Sequence, residues 1–335
     1  MTTYVLGAGA SAHVGYPLTT TLGSELLSWM KKQTRFDLYA PTASSLEETF
    51  HSTANLEDLL TEMVSTVSAV PANTRAGIAM RERFRQDYHV LSDALQERFG
   101  EIRENPAGAY EHFCAHVVRP GDCIITFNYD VSVDRELRRA GKWHVGDGYG
   151  FTIVELPEKS PVKILKLHGS SNWLASLWQS PGDGFGWRPV ISDAEMSFLG
   201  YTDQRDLNFR NARSGMVPTL ILPRPEKEFF IALGDKQELR LFFDDLWNQA
   251  KNALGQSDSV VICGYSMPDT DERARKLLIG NSLGKGTRIT VVSGSRSDDI
   301  AKCFRDQGYK YASAAHTTYR FEDWAASAAF APGVS

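Results

Sequence analysis

The sequence predicts an α/β protein built on an open, mainly parallel sheet with helices on both faces. Three observations predict it. Five short runs rich in Val, Ile and Leu (Tyr4–Leu6, Cys123–Phe127, Val162–Leu167, Val260–Cys263 and Ile289–Val292) read as buried strands, because they show little polar alternation. Each run gives way at once to small or polar residues: Gly7-Ala8-Gly9-Ala10-Ser11, Asn128-Tyr129-Asp130, His168-Gly169-Ser170, Gly264-Tyr265-Ser266 and Ser293-Gly294-Ser295. Segments with helical spacing lie between the runs. Ligands of open parallel sheets bind in the crevice beyond the carboxyl ends of the strands, so these turns are where function is expected.

The helices follow from periodicity. Val131–Ala140 carries Val133 and Leu137 four apart, with Gly141 at the position of a C′ glycine. Leu239–Leu254 bears the stripe Leu239, Phe242, Phe243, Leu246, Trp247 and Ala250. Asp271–Leu278 reads as a helix after the fourth strand. Between about 24 and 118 the strand signal almost vanishes, while Leu56, Leu59, Leu60, Met63 and Val67 repeat at helical spacing, so this stretch is expected to be a helical insertion. A second insertion is expected at about 175–236. It is rich in Gly, Pro and Trp around Ser180–Pro189 and reads as loops over the site. The 335 residues then form one domain, its core spanning about 1–23 and 119–335.

Composition excludes several classes. Hydrophobic residues make up 42% and charged residues 23%, ordinary for a chain that buries a core. The net charge of −5 lacks the basic excess of a nucleic-acid-binding surface, so no direct nucleic-acid partner is expected. Arg81, Arg83 and Arg85 read as a solvated helix face. The four cysteines contain no CxxC pair, which excludes a CxxC…CxxC zinc module, and Cys123 and Cys263 read as small core residues. His112 and His116 stand four apart, but no third ligand is apparent, so no metal site is expected. The N-terminus lacks a signal-peptide pattern and no apolar run approaches the roughly 20 residues of a membrane span, so a cytoplasmic protein is expected.

Four turns carry the candidate chemistry. Gly7-Ala8-Gly9-Ala10-Ser11-Ala12 fits the dinucleotide pattern G-x-G-x-x-G/A directly after a strand and makes the sheet Rossmann-like. Gly7 permits the turn, Gly9 the approach of a pyrophosphate, and the following amides face the anion; a plain strand-to-helix turn is the alternative. Thr126-Phe127-Asn128-Tyr129-Asp130 sets two short polar side chains at a strand end, although Asp130 also suits a cap for the next helix. Leu167-His168-Gly169-Ser170 places a histidine at a third strand end. Gly264-Tyr265-Ser266 follows the fourth strand, where the alternative is a turn with Asp269 or Asp271 capping a helix.

Taken in order, these motifs resemble the sirtuin family, and most of all its divergent prokaryotic branch of antiphage-defence NAD hydrolases. The match runs from Gly7 to about Gly294, outside both insertions. The resemblance implies that Gly7, Ala8, Gly9, Ser11, Pro17, Asp130, Gly264 and Ser266 contact NAD. It implies that Asn128 lies beside the nicotinamide ribose and that His168 is the general base. Two departures bear on the substrate. Gly15-Tyr16-Pro17 is followed by Leu18-Thr19-Thr20, where deacylases continue with Asp-Phe-Arg, and Trp173 with a loop-rich stretch stands in place of the four-cysteine zinc module. Both count against an acetyl-lysine peptide and leave the NAD half of the site intact. Water then takes the place of the acetyl oxygen, giving ADP-ribose and nicotinamide without zinc. A non-catalytic NAD or ADP-ribose binding module is the second reading, and protein deacylation or ADP-ribosyl transfer the third. The resemblance also implies a homo-oligomer and a partner such as an ATPase or an Argonaute-like protein.

Overall fold

The computed structural model describes residues 1–34, 36–51, 53–102, 108–153, 156–176, 189–191, 216–222, 237–268, 271–280, 282–316 and 319–328. These contain nine strands: β1 (Thr2–Leu6), β2 (Cys123–Thr126), β3 (Lys163–Lys166), β4 (Gly169–Ser176), β5 (Pro189–Ile191), β6 (Met216–Leu220), β7 (Ser259–Cys263), β8 (Arg288–Val292) and β9 (Ala312–Ala314). The chain divides into two compact units. One comprises residues 1–16, 103–168 and 239–335, and the other residues 17–102 and 169–238.

The first unit holds a six-stranded, all-parallel sheet in the order β3-β2-β1-β7-β8-β9. Counting only the strands of this sheet, the order is 3-2-1-4-5-6, the doubly wound arrangement whose direction of winding reverses between its first and fourth strands. Successive strand residues face opposite sides, and Val5 with Leu6, Ile124 with Ile125 and Val291 with Val292 are all wholly buried, so both faces of the sheet are covered. The helix Ser132–Arg139 follows β2, Gln237–Gly255 precedes β7, Glu272–Ile279 follows it, and Ser297–Asp306 lies between β8 and β9. The five expected strands, and the three helices expected at 131–140, 239–254 and 271–278, match the observed ones to within about two residues, while Ser297–Asp306 was not expected.

The register positions the site. Leu6 pairs with Thr126 on one side and Cys263 on the other, Thr126 pairs with Lys166, and Cys263 with Val292. The next residues, Gly7, Phe127, Leu167, Gly264 and Ser293, therefore leave the sheet in one row along its carboxyl edge.

The second unit contains the helices Thr19–Lys31, Tyr39–Thr49, Leu56–Ser68 and Arg75–Glu101 together with a three-stranded antiparallel sheet, β5-β4-β6. Asn55 caps one helix on the Glu57 amide and Thr74 another on the Gly77 amide. Gln96 Nε2 donates to the Trp173 carbonyl at 3.2 Å, and Tyr88 accepts the Leu222 amide at 3.2 Å, tying the longest helix to the small sheet. Strands β5 and β6 lie inside the stretch that reads from sequence as loops. Conversely, Gly108–His112 and the π-helical turn Phe113–Val117, at the end of the expected helical insertion, belong to the first unit. No helix among the described residues is long and apolar enough to cross a membrane.

Candidate functional site

The reversal point of the first unit lies between β1 and β7, and the two loops leaving those strands are locked together. The Gly7 amide donates to the Cys263 carbonyl and the Gly9 amide to the Gly264 carbonyl, both at 2.9 Å. A methyl group on Gly7 would stand 2.6 Å from Tyr265 Cα, one on Gly9 2.9 Å from Gly264 Cα, and one on Gly264 2.1 Å from the Ala10 nitrogen. Gly264 also has φ +60°. These glycines thus serve the close approach of one loop to the other. The Ala10 amide donates to the Gly7 carbonyl, so three amides of the glycine-rich turn already have protein partners. Met267 follows at φ 49°, an uncommon conformation for a side-chain-bearing residue, and Arg275 Nη1 donates to its carbonyl.

The turn after β2 docks onto the turn after β1 through a buried polar cluster. Asn128 Nδ2 donates to the Gly7 carbonyl and to Ser11 Oγ, each at 3.0 Å. Ser11 Oγ donates to Asp130 Oδ2 at 2.7 Å and lies 2.8 Å from the Tyr110 hydroxyl. The single serine proton goes to the carboxylate, which accepts only, so Tyr110 must donate to Ser11. Burial first, and the Asp130 charge second, push the Tyr110 hydroxyl well above its ordinary range and keep it protonated. Because the Gly7 carbonyl can only accept, the amide of Asn128 is oriented without ambiguity. Both of its N–H groups are occupied, and its Oδ1 is the atom left to meet a ligand. Asp130 Oδ1 accepts the Ser132 amide at 3.0 Å, at the start of the helix Ser132–Arg139.

A second polar cluster fixes the same turn from below. Lys166, at the end of β3, is wholly buried; its Nζ donates to the Asp130 carbonyl at 2.5 Å and to Asp134 at 3.1 Å. Tyr149 donates its hydroxyl to Asp134 as well. A buried ammonium is tolerated only with such partners.

His168 leaves β3 two residues beyond Lys166 and is 5% exposed. Its ring lies 5.1 Å from that of Phe127 and 6.3 Å from that of Trp247, and Phe127 stacks on Tyr265 at 4.5 Å. His168 Nε2 is 3.8 Å from Asp271 Oδ2. The first unit thus brings Gly7, Ala8, Gly9, Ser11, Asn128, Asp130, His168, Gly264 and Ser266 to one edge of one sheet, with Ser266 exposed. Pro17 is the first residue of the second unit and is not part of this arrangement. Tyr110, Lys166 and Asp271 were not expected. Tyr110 falls in the stretch read as an insertion, Lys166 inside a strand, and Asp271 reads as a helix cap. Among the described residues no group of three or more His, Cys, Asp or Glu side chains is arranged to hold a metal ion; His112 and His116 have ring centres 4.8 Å apart.

Fold and site together define a doubly wound α/β protein with its polar residues gathered at the reversal point of the sheet. No protein-family model matches the chain, and no curated protein matches it. Similar solved structures are Sir2 homologues. One, a mutant in complex with 2′-O-acetyl ADP-ribose, is 14% identical, with 98% of this chain and 90% of that chain covered and a TM-score of 0.44. A Sir2 homologue complexed with NAD is 16% identical over 91% of this chain and 88% of that one, with a TM-score of 0.40. A Sir2 mutant with a p53 peptide and NAD is 12% identical over 100% and 94%, with a TM-score of 0.41.

Proposed function

We propose that this protein is a sirtuin-like NAD glycohydrolase that cleaves the nicotinamide–ribose bond to give ADP-ribose and nicotinamide. The observation that carries the reading is the convergence of Asn128, His168 and the interlocked Gly7–Gly9 and Gly264 turns on the reversal point of a 3-2-1-4-5-6 sheet. Dinucleotides bind such sheets at that point. The Asn128 amide, bonded to the Gly7 carbonyl, and the His168 ring at the neighbouring strand end are the polar groups that this edge offers to NAD.

Nicotinamide leaves NAD as a neutral molecule, so the bond is already activated. Water attacks the anomeric carbon as the carbon–nitrogen bond breaks, and that bond's electron pair stays on the nicotinamide nitrogen. One water proton passes to the imidazole of His168, a group suited to proton transfer at neutral pH. Asn128 Oδ1 accepts from a ribose hydroxyl or from the attacking water and holds it in line. In the same proposal Gly7, Ala8, Gly9, Ser11, Asp130, Gly264 and Ser266 shape the NAD site. The biological setting implied by the resemblance is defence against phage by NAD depletion, in a cytoplasmic homo-oligomer working with an ATPase or Argonaute-like partner.

Purified protein and a His168→Ala variant are incubated with NAD, and nicotinamide and ADP-ribose are quantified by chromatography. Product from the wild type alone is the expected result. Full turnover by the variant overturns the assignment. Nicotinamide release that appears only with an acetylated peptide replaces hydrolysis with deacylation.

A further inference from the structure

The loop after β7 ends in a carboxylate that the mechanism above does not use. Asp271 is 2% exposed. Its Oδ1 accepts the Ala274 amide at 3.3 Å and caps the helix Glu272–Ile279. Capping needs one oxygen. The other, Oδ2, accepts the Tyr265 hydroxyl at 3.0 Å and faces His168 Nε2 at 3.8 Å. A buried carboxylate used only as a cap would be costly where a serine or asparagine caps as well without the charge.

The imidazole packs against a cluster of rings from other elements, Phe127 from the turn after β2 at 5.1 Å and Trp247 from the helix Gln237–Gly255 at 6.3 Å, which are themselves 6.2 Å apart. Asp130 and Arg273 have other partners. Asp130 bonds Ser11 and Ser132, while Arg273, stacked 4.5 Å over Trp247, pairs with Asp244 at 2.6 Å.

We infer that Asp271 is the positioning residue of His168. A carboxylate beside Nε2 orients the ring and favours its protonated form. When the ring takes the proton of the attacking water, Asp271 stabilises the resulting imidazolium and takes no proton itself. The separation exceeds a hydrogen bond, and contacts of this kind tighten when substrate binds. The destination of the proton rests on the proposed NAD cleavage; the pairing of the two side chains does not.

Asp271→Asn keeps a capping oxygen and removes the charge, and Asp271→Ser is the second variant should the first fail to fold. The readout independent of catalysis is a proton NMR titration of the His168 ring, assigned with His168→Gln. Removing the carboxylate is expected to lower the titration midpoint by about half a pH unit or more, with the thermal midpoint of unfolding little changed. In the NAD assay the variant is expected to lose about 10²–10⁴-fold in kcat, to keep KM within about threefold, and to show its acidic limb at lower pH. An unchanged His168 midpoint in a folded variant overturns the inference and leaves Asp271 a helix cap. A wild type that releases no nicotinamide counts against the NAD reading alone, and the titration still decides the pairing.

Discussion

Gly9 and Gly264 meet backbone to backbone at the reversal point of the sheet, the Gly9 amide on the Gly264 carbonyl at 2.9 Å. Neither leaves room for a side chain, and Gly264 in addition holds φ +60°. The floor of the candidate site is therefore set by two residues distant in sequence that must both be glycine.

Gly264→Ala tests that floor. The left-handed conformation costs about 1–2 kcal/mol for an alanine, and the overlap with the Ala10 nitrogen adds about 1–3 kcal/mol. Urea unfolding is expected to show a loss of about 3 kcal/mol. A loss below about 0.5 kcal/mol would mean that the two loops separate freely.

Asn128 separates binding from chemistry. Asn128→Ala is expected to lower nicotinamide release by about 10²–10³-fold, the range seen when one polar group aimed at a reacting centre is removed, while NAD still binds. Asn128→Asp sets an oxygen against the Gly7 carbonyl and is expected to cost a further 1–3 kcal/mol or so of stability. An aspartate variant as stable as the wild type would contradict the orientation of the amide.

Lys166 and Asp134 form a buried pair, at 0% and 4% side-chain exposure. Lys166→Met strands the Asp134 charge and is expected to cost about 3–5 kcal/mol. Adding Asp134→Asn removes that charge and should restore part of the loss, which calorimetry of the two single variants and the double variant would show. Strict additivity would indicate that the two residues do not interact.

Asp147 supplies a pH-dependent contribution. Burial alone would raise its carboxyl, but the Lys163 ammonium at 2.7 Å, the Ser160 amide at 2.8 Å and Lys159 overcome that and hold it below the usual carboxylate range. A depressed folded value gives stability that is present above the unfolded value of about 3.9 and is lost as pH falls through the folded one. The wild type should therefore exceed Asp147→Asn in stability at neutral pH, and the gap should close as pH falls through the folded value. A gap of equal size on both sides of that value would exclude the charge as its source.

Much of the sheet is legible in the sequence because strands buried on both faces must be apolar throughout. Val260–Cys263 has no other reading. β9 escapes notice because Ala312-Ser313-Ala314 is too short and too small to form an apolar run. β4 escapes because Gly169-Ser170-Ser171-Asn172 carries no apolar residue and its partners lie far along the chain. The site divides in the same way. Asn128 and His168 stand out because each directly follows a run that ends abruptly in polar residues. Asp271 and Tyr110 act on residues far away in sequence, so they are visible only once the chain is folded. Lys166 is hidden for another reason: a lysine inside Lys163–Lys166 reads as an interruption of the strand, whereas its ammonium in fact ties β3 to the Asn128–Asp130 turn.

The two compact units are woven from alternating stretches of the chain, 1–16, 103–168 and 239–335 for one, 17–102 and 169–238 for the other. During synthesis, the parallel sheet cannot close when β1 emerges, because β7, its neighbour across the reversal point, is translated only after the whole of the second unit. The first strand must therefore wait on the ribosome with one edge unpaired, and unpaired edges invite aggregation. For the same reason no single cut separates the units. A nick between 102 and 103 or between 168 and 169 leaves each unit still assembled from segments on both sides of the break, so the nicked chain should run as one particle on a sizing column and fall apart only in denaturant.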